Sequence, residues 1–309
     1  MTKLLVASGW IKKKSVEIVN LDEENPDLIC DNLPELPTGV HCATGQLLGE
    51  MPIICGGTGN LCNCQFFQNG SWKITPNSNE CRTSGASATL TNSDGKDVLF
   101  IAGGIHGSTL QTAKTFDGSV WNHQQNSPEP STYSCIVKLN SSTIFHIGGR
   151  NKDDISIKNT YFYNMLIGEW IIGPILNIGR NAMSCGILKW ENPEMNQMEK
   201  VVVVAGGLTH HYYKDKQFMS SVELLYLNDD NSVKGDWMMG PELPNSTYGS
   251  NMIEYNNSVI MFGGEHTKRK LYKLSSPKGP WIEMKQKLKE ERSHHVSFLV
   301  PDELVNCHN

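Results

Sequence analysis

The sequence predicts an all-β fold in which six repeated units close into one array. Three observations carry that prediction. First, an apolar strand ending in a glycine pair recurs along the chain: LLVASGW (Ser8-Gly9), PIICGG (Gly56, Gly57), LFIAGG (Gly103, Gly104), IFHIGG (Gly148, Gly149), VVVAGG (Gly206, Gly207) and VIMFGG (Gly263, Gly264). The second members stand at 9, 57, 104, 149, 207 and 264, in steps of 48, 47, 45, 58 and 57. A fixed period marks supersecondary units that bury their faces only against neighbours. Second, five of the seven tryptophans, Trp72, Trp121, Trp170, Trp237 and Trp281, fall at one position of the repeat. Third, 28 glycines and 14 prolines, with Asn-, Ser- and Asp-rich junctions, suit many short strands joined by turns.

Composition bounds the rest. A chain of 309 residues has room for two average domains, but evenly spaced repeats argue for one domain over 1–309. The formal charge of −5 directs the whole chain toward neither nucleic acid nor a membrane surface, and a monomer is expected. No apolar stretch approaches the ~18 residues that a membrane span needs. LLVA is too short for a leader and is needed as a strand of the first repeat. The expectation is therefore a cytosolic protein or a mature secreted chain, with a slight preference for the latter.

Each unit reads as four strands. In the third, Ser84 to Leu90 is a strand of small and alternating residues, and Val98 to Ala102 is an apolar run ending at the glycine pair. Thr112 to Phe116 follows a polar loop, a turn stands at Asp117-Gly118, and Val120-Trp121 opens a fourth strand. The order recurs around CQFFQNG and Trp72, TYFYN and Trp170, VELLYL and Trp237, and KLYKL and Trp281. Tryptophan at one site in each unit is expected to wedge between adjacent units. The glycines are expected where a Cβ would clash or φ is positive. The first unit departs, with Ser8-Gly9 for the pair and Leu28 to Cys30 where tryptophan belongs.

This succession of strand, Gly-Gly, polar loop, aromatic strand, turn and tryptophan resembles the kelch repeat over nearly the whole chain. The resemblance implies a six-bladed kelch-type β-propeller with four-stranded antiparallel blades around a central channel. It also implies that the unassigned C-terminal segment, about 294–300, completes blade 1, which the N-terminus begins, so that truncating either end would open the ring.

The channel-mouth face is where kelch domains usually bind. Residues leading into the first strands and residues following the glycine pairs crowd that face. Arg82, Arg180 and Arg292 lead into three blades, and Tyr133 and Tyr248 are read as their replacements in two others. Arginine and tyrosine dominate interface energetics, which makes these five a candidate contact set. The alternative is that the arginines pin neighbouring blades through backbone carbonyls. The loop from Leu208 to Ser220, with His210, His211, Tyr212 and Tyr213, is long and aromatic, and long exposed loops are disproportionately functional. Ring closure also brings Lys12, Lys13 and Lys14 toward Lys268, Arg269 and Lys270, a basic sector suited to an acidic partner.

Motifs for chemistry are sparse. His106, His210, His211 and His266 follow glycine pairs on separate loops and show no metal-ligand spacing. Phosphate loops, nucleophile elbows and paired-carboxylate motifs are absent from the sequence, so no catalytic residue, metal or cofactor is assigned. Nine cysteines form an odd set. Cys55 has Cys62 and Cys64 within reach, and Cys135 and Cys185 match on neighbouring inner strands; the alternative is buried packing thiols. Asn69, Asn140, Asn245 and Asn256 begin Asn-x-Ser/Thr triplets. The reading is a non-enzymatic scaffold that binds a protein or peptide ligand, acidic where it meets the basic sector. The competing reading is an epimerase-, lyase- or oxidase-type enzyme acting on a small molecule or glycan at the channel mouth.

Overall fold

The computed structural model describes residues 2–24, 29–31, 33–58, 62–75, 81–210, 216–305 and 307–308. They form a β-propeller of six antiparallel blades in a ring. Blade 3 shows the pattern: Ala86–Thr91 lines the channel, followed outward by Asp97–Ala102, Ala113–Phe116 and Trp121–Gln124. The inner strands of blades 2, 4, 5 and 6 are Thr44–Leu48, Cys135–Lys138, Ser184–Asn192 and Ser250–Tyr255. Blade 1 is built from both ends of the chain. Its inner strand is Val296–Pro301, paired residue for residue with Thr2–Ala7, which pairs in turn with Val16–Val19. Outside these, Ile29–Cys30 pairs with Cys307–His308. Inner strands of neighbouring blades touch all the way round, blade 6 against blade 1 included.

The second strand of each blade is apolar on both sides because both of its faces are covered by neighbouring blades. Val201 to Ala205 are fully buried, as are Leu99, Phe100 and Ala102. The tryptophans lock these contacts. The indole N–H of Trp72, Trp170, Trp237 and Trp281 donates to the carbonyl of Pro34, Gln125, Pro174 and Pro241, at 2.9, 2.9, 2.9 and 3.0 Å. Each acceptor lies in the segment joining the preceding blade to the tryptophan's own. Trp121, the fifth, stacks on Phe116 at 4.8 Å.

In blade 3 both positions of the pair require glycine. At Gly103, φ is +65° and a Cβ would stand 2.3 Å from the Ser131 carbonyl of the next blade. At Gly104, φ is +101° and a Cβ would meet the Thr83 carbonyl at 2.6 Å. The N–H of the second glycine then donates across the junction: Gly9 to Val40, Gly57 to Arg82, Gly104 to Ser131, Gly149 to Arg180, Gly207 to Thr247 and Gly264 to Arg292. This ladder fixes the register of the lead-in segments. Val40, Arg82, Ser131, Arg180, Thr247 and Arg292 are the six equivalent positions. Tyr133 and Tyr248 are therefore not replacements for the arginines, as the sequence suggested; Ser131 and Thr247 are.

Eight cysteines are paired, as Cys30–Cys307, Cys55–Cys64, Cys62–Cys81 and Cys135–Cys185, and Cys42 is a free buried thiol. Cys30–Cys307 joins partners 277 residues apart in the outer ribbon of blade 1. Cys135–Cys185 staples the inner strands of blades 4 and 5.

Candidate functional site: the channel mouth

Two residues beyond each junction position the chain turns into its inner strand, and here the six blades are tied into a collar. Cys42, Ser84, Tyr133, Ala182 and His294 all have φ between 51° and 57°, and Gly249 has φ 64°. In this left-handed conformation each N–H donates to the carbonyl of the equivalent residue in the preceding blade: Cys42 to His294 (3.0 Å), Ser84 to Cys42 (2.7 Å), Tyr133 to Ser84 (2.9 Å), Ala182 to Tyr133 (2.8 Å), Gly249 to Ala182 (2.8 Å) and His294 to Gly249 (2.7 Å). The ring closes on itself. Its backbone groups are consumed internally, so recognition at the mouth falls to side chains.

A second ring of equivalent residues decides which side chains these are. The residue after each glycine pair donates its N–H to the residue just before the collar: Trp10 to Ser293, Thr58 to His41, Ile105 to Thr83, Arg150 to Thr132, Leu208 to Asn181 and Glu265 to Tyr248. Trp10, Arg150, Leu208 and Glu265 all reach a cavity of about 410 Å³ above the collar, together with Tyr133, His210, Lys216, Tyr248 and His294.

His294 sits among aromatic faces. Tyr133 and Tyr248 approach its ring edge-on at 5.7 and 5.8 Å, and Trp10 lies at 6.4 Å. The His294 ring lies over Gly249, where a Cβ would come within 2.6 Å of it, so glycine at this collar position makes room for the imidazole. Arg150 places its guanidinium 5.5 Å from the Tyr133 ring centroid and 2.9 Å from Asp154 Oδ1. His210 is buried and held from two sides: its N–H donates to Ser156 Oγ (3.0 Å) and its Nδ1 lies 3.2 Å from Asn181 Nδ2. Because the Asn181 amide nitrogen is a donor, Nδ1 accepts and the proton resides on Nε2. Tyr248 stacks on Phe218 at 5.3 Å, and Phe218 belongs to a short ribbon in which Leu208–Thr209 pairs with Gln217–Phe218.

Burial sets the protonation states. It pushes the His294 and His210 pKa values below the ordinary range, helped at His210 by Lys216 and Arg150 and opposed at His294 by Glu265. It pushes the Tyr133 and Tyr248 hydroxyls and the Cys42 thiol upward. At neutral pH these histidines are neutral and the tyrosines protonated, which leaves Arg150 and Lys216 as the cavity's cations.

Within the collar the channel holds a cavity of about 100 Å³, and below it a polar cavity of about 190 Å³. Side chains cross between inner strands there: Ser184 Oγ lies 2.7 Å from Ser250 Oγ, and Asn251 Nδ2 donates to His295 O (2.9 Å) and Ser297 Oγ (3.0 Å). His295, fully enclosed in this wall, has its pKa driven down to about 3 by burial, with Arg292 and His294 adding to the effect.

The sequence-derived contact set divides. Tyr133, Tyr248 and His210 reach the mouth. Arg82, Arg180 and Arg292 are buried, at 6%, 0% and 2% exposure. Arg82 donates to the Gly103 and Thr112 carbonyls, Arg180 to those of Gly206 and Ser221, and Arg292 to those of Ser8 and Ser15. Arg180 and Arg292 also pair with buried Glu223 (2.8 Å) and Glu17 (2.6 Å). Each arginine thus accepts from one blade through its backbone and ties down its own blade through its side chain. His211, Tyr212 and Tyr213 lie outside the described residues. The basic sector is partly neutralised, with Lys12 near Glu290 (3.6 Å), Lys268 near Glu291 (3.4 Å) and Lys270 on Glu283 (2.9 Å). Trp10, Lys216, Glu265 and His294 were not singled out from sequence. For Trp10 and Glu265 the signal was present, since both directly follow a glycine pair.

No protein-family model matches the chain, and no curated protein matches it in sequence. Among solved structures it is similar to the structure of YjhT, with a TM-score of 0.63 and 14% identity over 99% of this chain and 98% of that one. What the two share is the fold. The kelch family remains a resemblance carried by the repeat motifs.

Proposed function

We propose that this propeller is a non-enzymatic scaffold that binds a protein or peptide through the channel mouth and seats an acidic side chain in the mouth cavity. The observation that carries this reading is the composition of that cavity. Arg150, braced by Asp154 at 2.9 Å, and Lys216 supply the cavity's two cations against the single carboxylate of Glu265, and Trp10, Tyr133 and Tyr248 supply rigid aromatic faces around it. Arginine held over a tyrosine ring is preorganised for a carboxylate, and the aromatic faces suit the apolar part of a neighbouring residue. A display library of random peptides panned on the protein tests this. Enrichment of acidic peptides, lost in Arg150→Ala, is expected; enrichment without acidic residues, or binding that survives Arg150→Ala, sinks the reading.

A second reading rests on Glu265, His210 and His294 standing around the same cavity. Neutral buried imidazoles beside a carboxylate are suited to proton transfer on a small molecule or glycan, and the cavity has the volume of a small-ligand site. Turnover of a glycan panel by the wild type, abolished in His294→Ala, would place this reading ahead of the scaffold.

A further inference from the structure

The face opposite the mouth carries three of the chain's four Asn-x-Ser/Thr triplets, each at the tip of a hairpin. Inner strands start at the collar, so the turns joining first to second and third to fourth strands lie at the far end of each blade. Asn140 stands in the turn between Cys135–Lys138 and Thr143–Ile147, and Asn256 in the turn between Ser250–Tyr255 and Ser258–Gly263. Asn69 stands between Cys64–Gln68 and Ser71–Ile74. All three are exposed. Asn69 and Asn256 have φ of 51° and 47°, a conformation that asparagine takes readily in two-residue hairpin turns. Asn140 accepts at Oδ1 from the N–H groups of Ser142 and Thr143, at 2.9 and 2.8 Å, which leaves its Nδ2 unengaged among the described residues.

Asparagine triplets of this kind arise often by chance in an asparagine-rich chain. The disulfides change their weight. Eight of nine cysteines are paired, and disulfides persist in oxidising compartments such as the secretory lumen, where glycan transfer to such triplets also takes place.

We propose that Asn69, Asn140 and Asn256 carry N-linked glycans, which makes the face opposite the mouth the sugar-bearing face. The donor is a lipid diphosphate-linked oligosaccharide. The asparagine Nδ2 bonds to the anomeric carbon, the bond from that carbon to the diphosphate oxygen breaks, and its electron pair leaves with the lipid diphosphate. The amide proton passes to a base, and nothing is oxidised or reduced. Asn245, the fourth triplet, differs. It lies on the mouth side, in a segment that leads into an inner strand and not at a hairpin tip, and its Nδ2 donates to Tyr272 Oη at 3.4 Å. A glycan there would crowd the mouth. A glycan on Asn140 instead covers apolar surface: the Met165 N–H donates to the Ser142 carbonyl at 2.9 Å, which sets the Asn140 turn beside exposed Leu166 and Ile167.

This inference does not depend on what the mouth binds. Its test is to isolate the full protein from the cells that make it, release glycans with an amidase in heavy-oxygen water, and map the asparagines converted to labelled aspartate. Labels confined to Asn69, Asn140 and Asn256 are expected. An unlabelled chain, or a label on Asn245, overturns the proposal. Free thiols counted on the same sample locate a failure. Nine would remove the oxidising compartment itself, whereas one would leave the disulfides standing and reject only the glycans.

Discussion

Arg180 and Tyr248 both lead into an inner strand from the mouth side, yet Arg180 is wholly enclosed and Tyr248 lines the open cavity. The difference is one residue of register. Arg180 occupies the position whose carbonyl accepts from the preceding blade's second glycine, whereas in blade 6 that position is Thr247 and Tyr248 follows it. In extended backbone a single step turns the side chain to the opposite side. One side therefore faces the blade junction and the other faces the mouth. An arginine on the first side is a structural tie, and an aromatic or charged residue on the second is available to a ligand.

The comparison breaks most visibly where the ring is opened. Removing Cys30–Cys307 by a double serine substitution releases the C-terminal strand from its covalent clasp. A closed loop of this length contributes on the order of 5 kcal/mol in the chain-entropy model, and urea unfolding should register most of it. Arg180→Ala should cost about 3–5 kcal/mol, because it leaves the Glu223 carboxylate buried without its partner. Arg180→Met, judged by the same unfolding curve, should cost about as much while Glu223 remains, since filling the space does not neutralise the charge. A variant as stable as wild type would show that the junction does not depend on this tie.

The ring was legible in the sequence and the mouth largely was not. Glycine pairs and tryptophans recur because every junction imposes the same steric and hydrogen-bonding demand, so each leaves the same residue type six or five times over. The mouth imposes no such repetition: the ring after the glycine pairs reads Trp10, Thr58, Ile105, Arg150, Leu208 and Glu265. Only its position repeats, not its chemistry. The arginines misled for a related reason. Arginine is frequent at interfaces, and nothing in a single chain separates that use from a buried tie until the glycine ladder fixes the register. Ala182 and Gly249 concealed the collar, since the left-handed φ there is met by a different residue in every blade.

His294 and His295 repeat the contrast one residue apart, and acid exposes it. His295 is held neutral in the channel wall with a pKa of about 3, below the ordinary value near 6.5 of the unfolded chain. Its contribution to stability is therefore complete above about pH 6.5 and is lost as pH falls toward 3, because the unfolded chain takes up a proton that the fold refuses. Between these limits it should steepen the loss of unfolding free energy by about 1.4 kcal/mol per pH unit. His295→Gln should lower stability at pH 7 and flatten this acid limb, measured by urea titrations from pH 7 to pH 4. His294→Ala should leave most of the slope in place. Equal flattening by both would mean that the mouth histidine is as enclosed as the wall histidine.

The smallest stability effect belongs to a residue that lines the mouth cavity. Tyr248→Ala removes the stack on Phe218, a contact of about 1 kcal/mol, and touches none of the junction or collar hydrogen bonds, which run through its neighbours' backbone. Its melting temperature should stay within a few degrees of wild type. Acidic peptides selected on the wild-type protein should nevertheless bind it at least tenfold more weakly, a loss of about 1.4 kcal/mol of binding free energy. Thr247→Arg tests the register from the other side. It places the side chain of Arg180 and Arg292 at the equivalent position of blade 6, facing the junction, so it should alter stability and leave peptide affinity unchanged. If Thr247→Arg instead changed affinity while Tyr248→Ala did not, the junction-facing and mouth-facing sides assigned to these two residues would have to be exchanged.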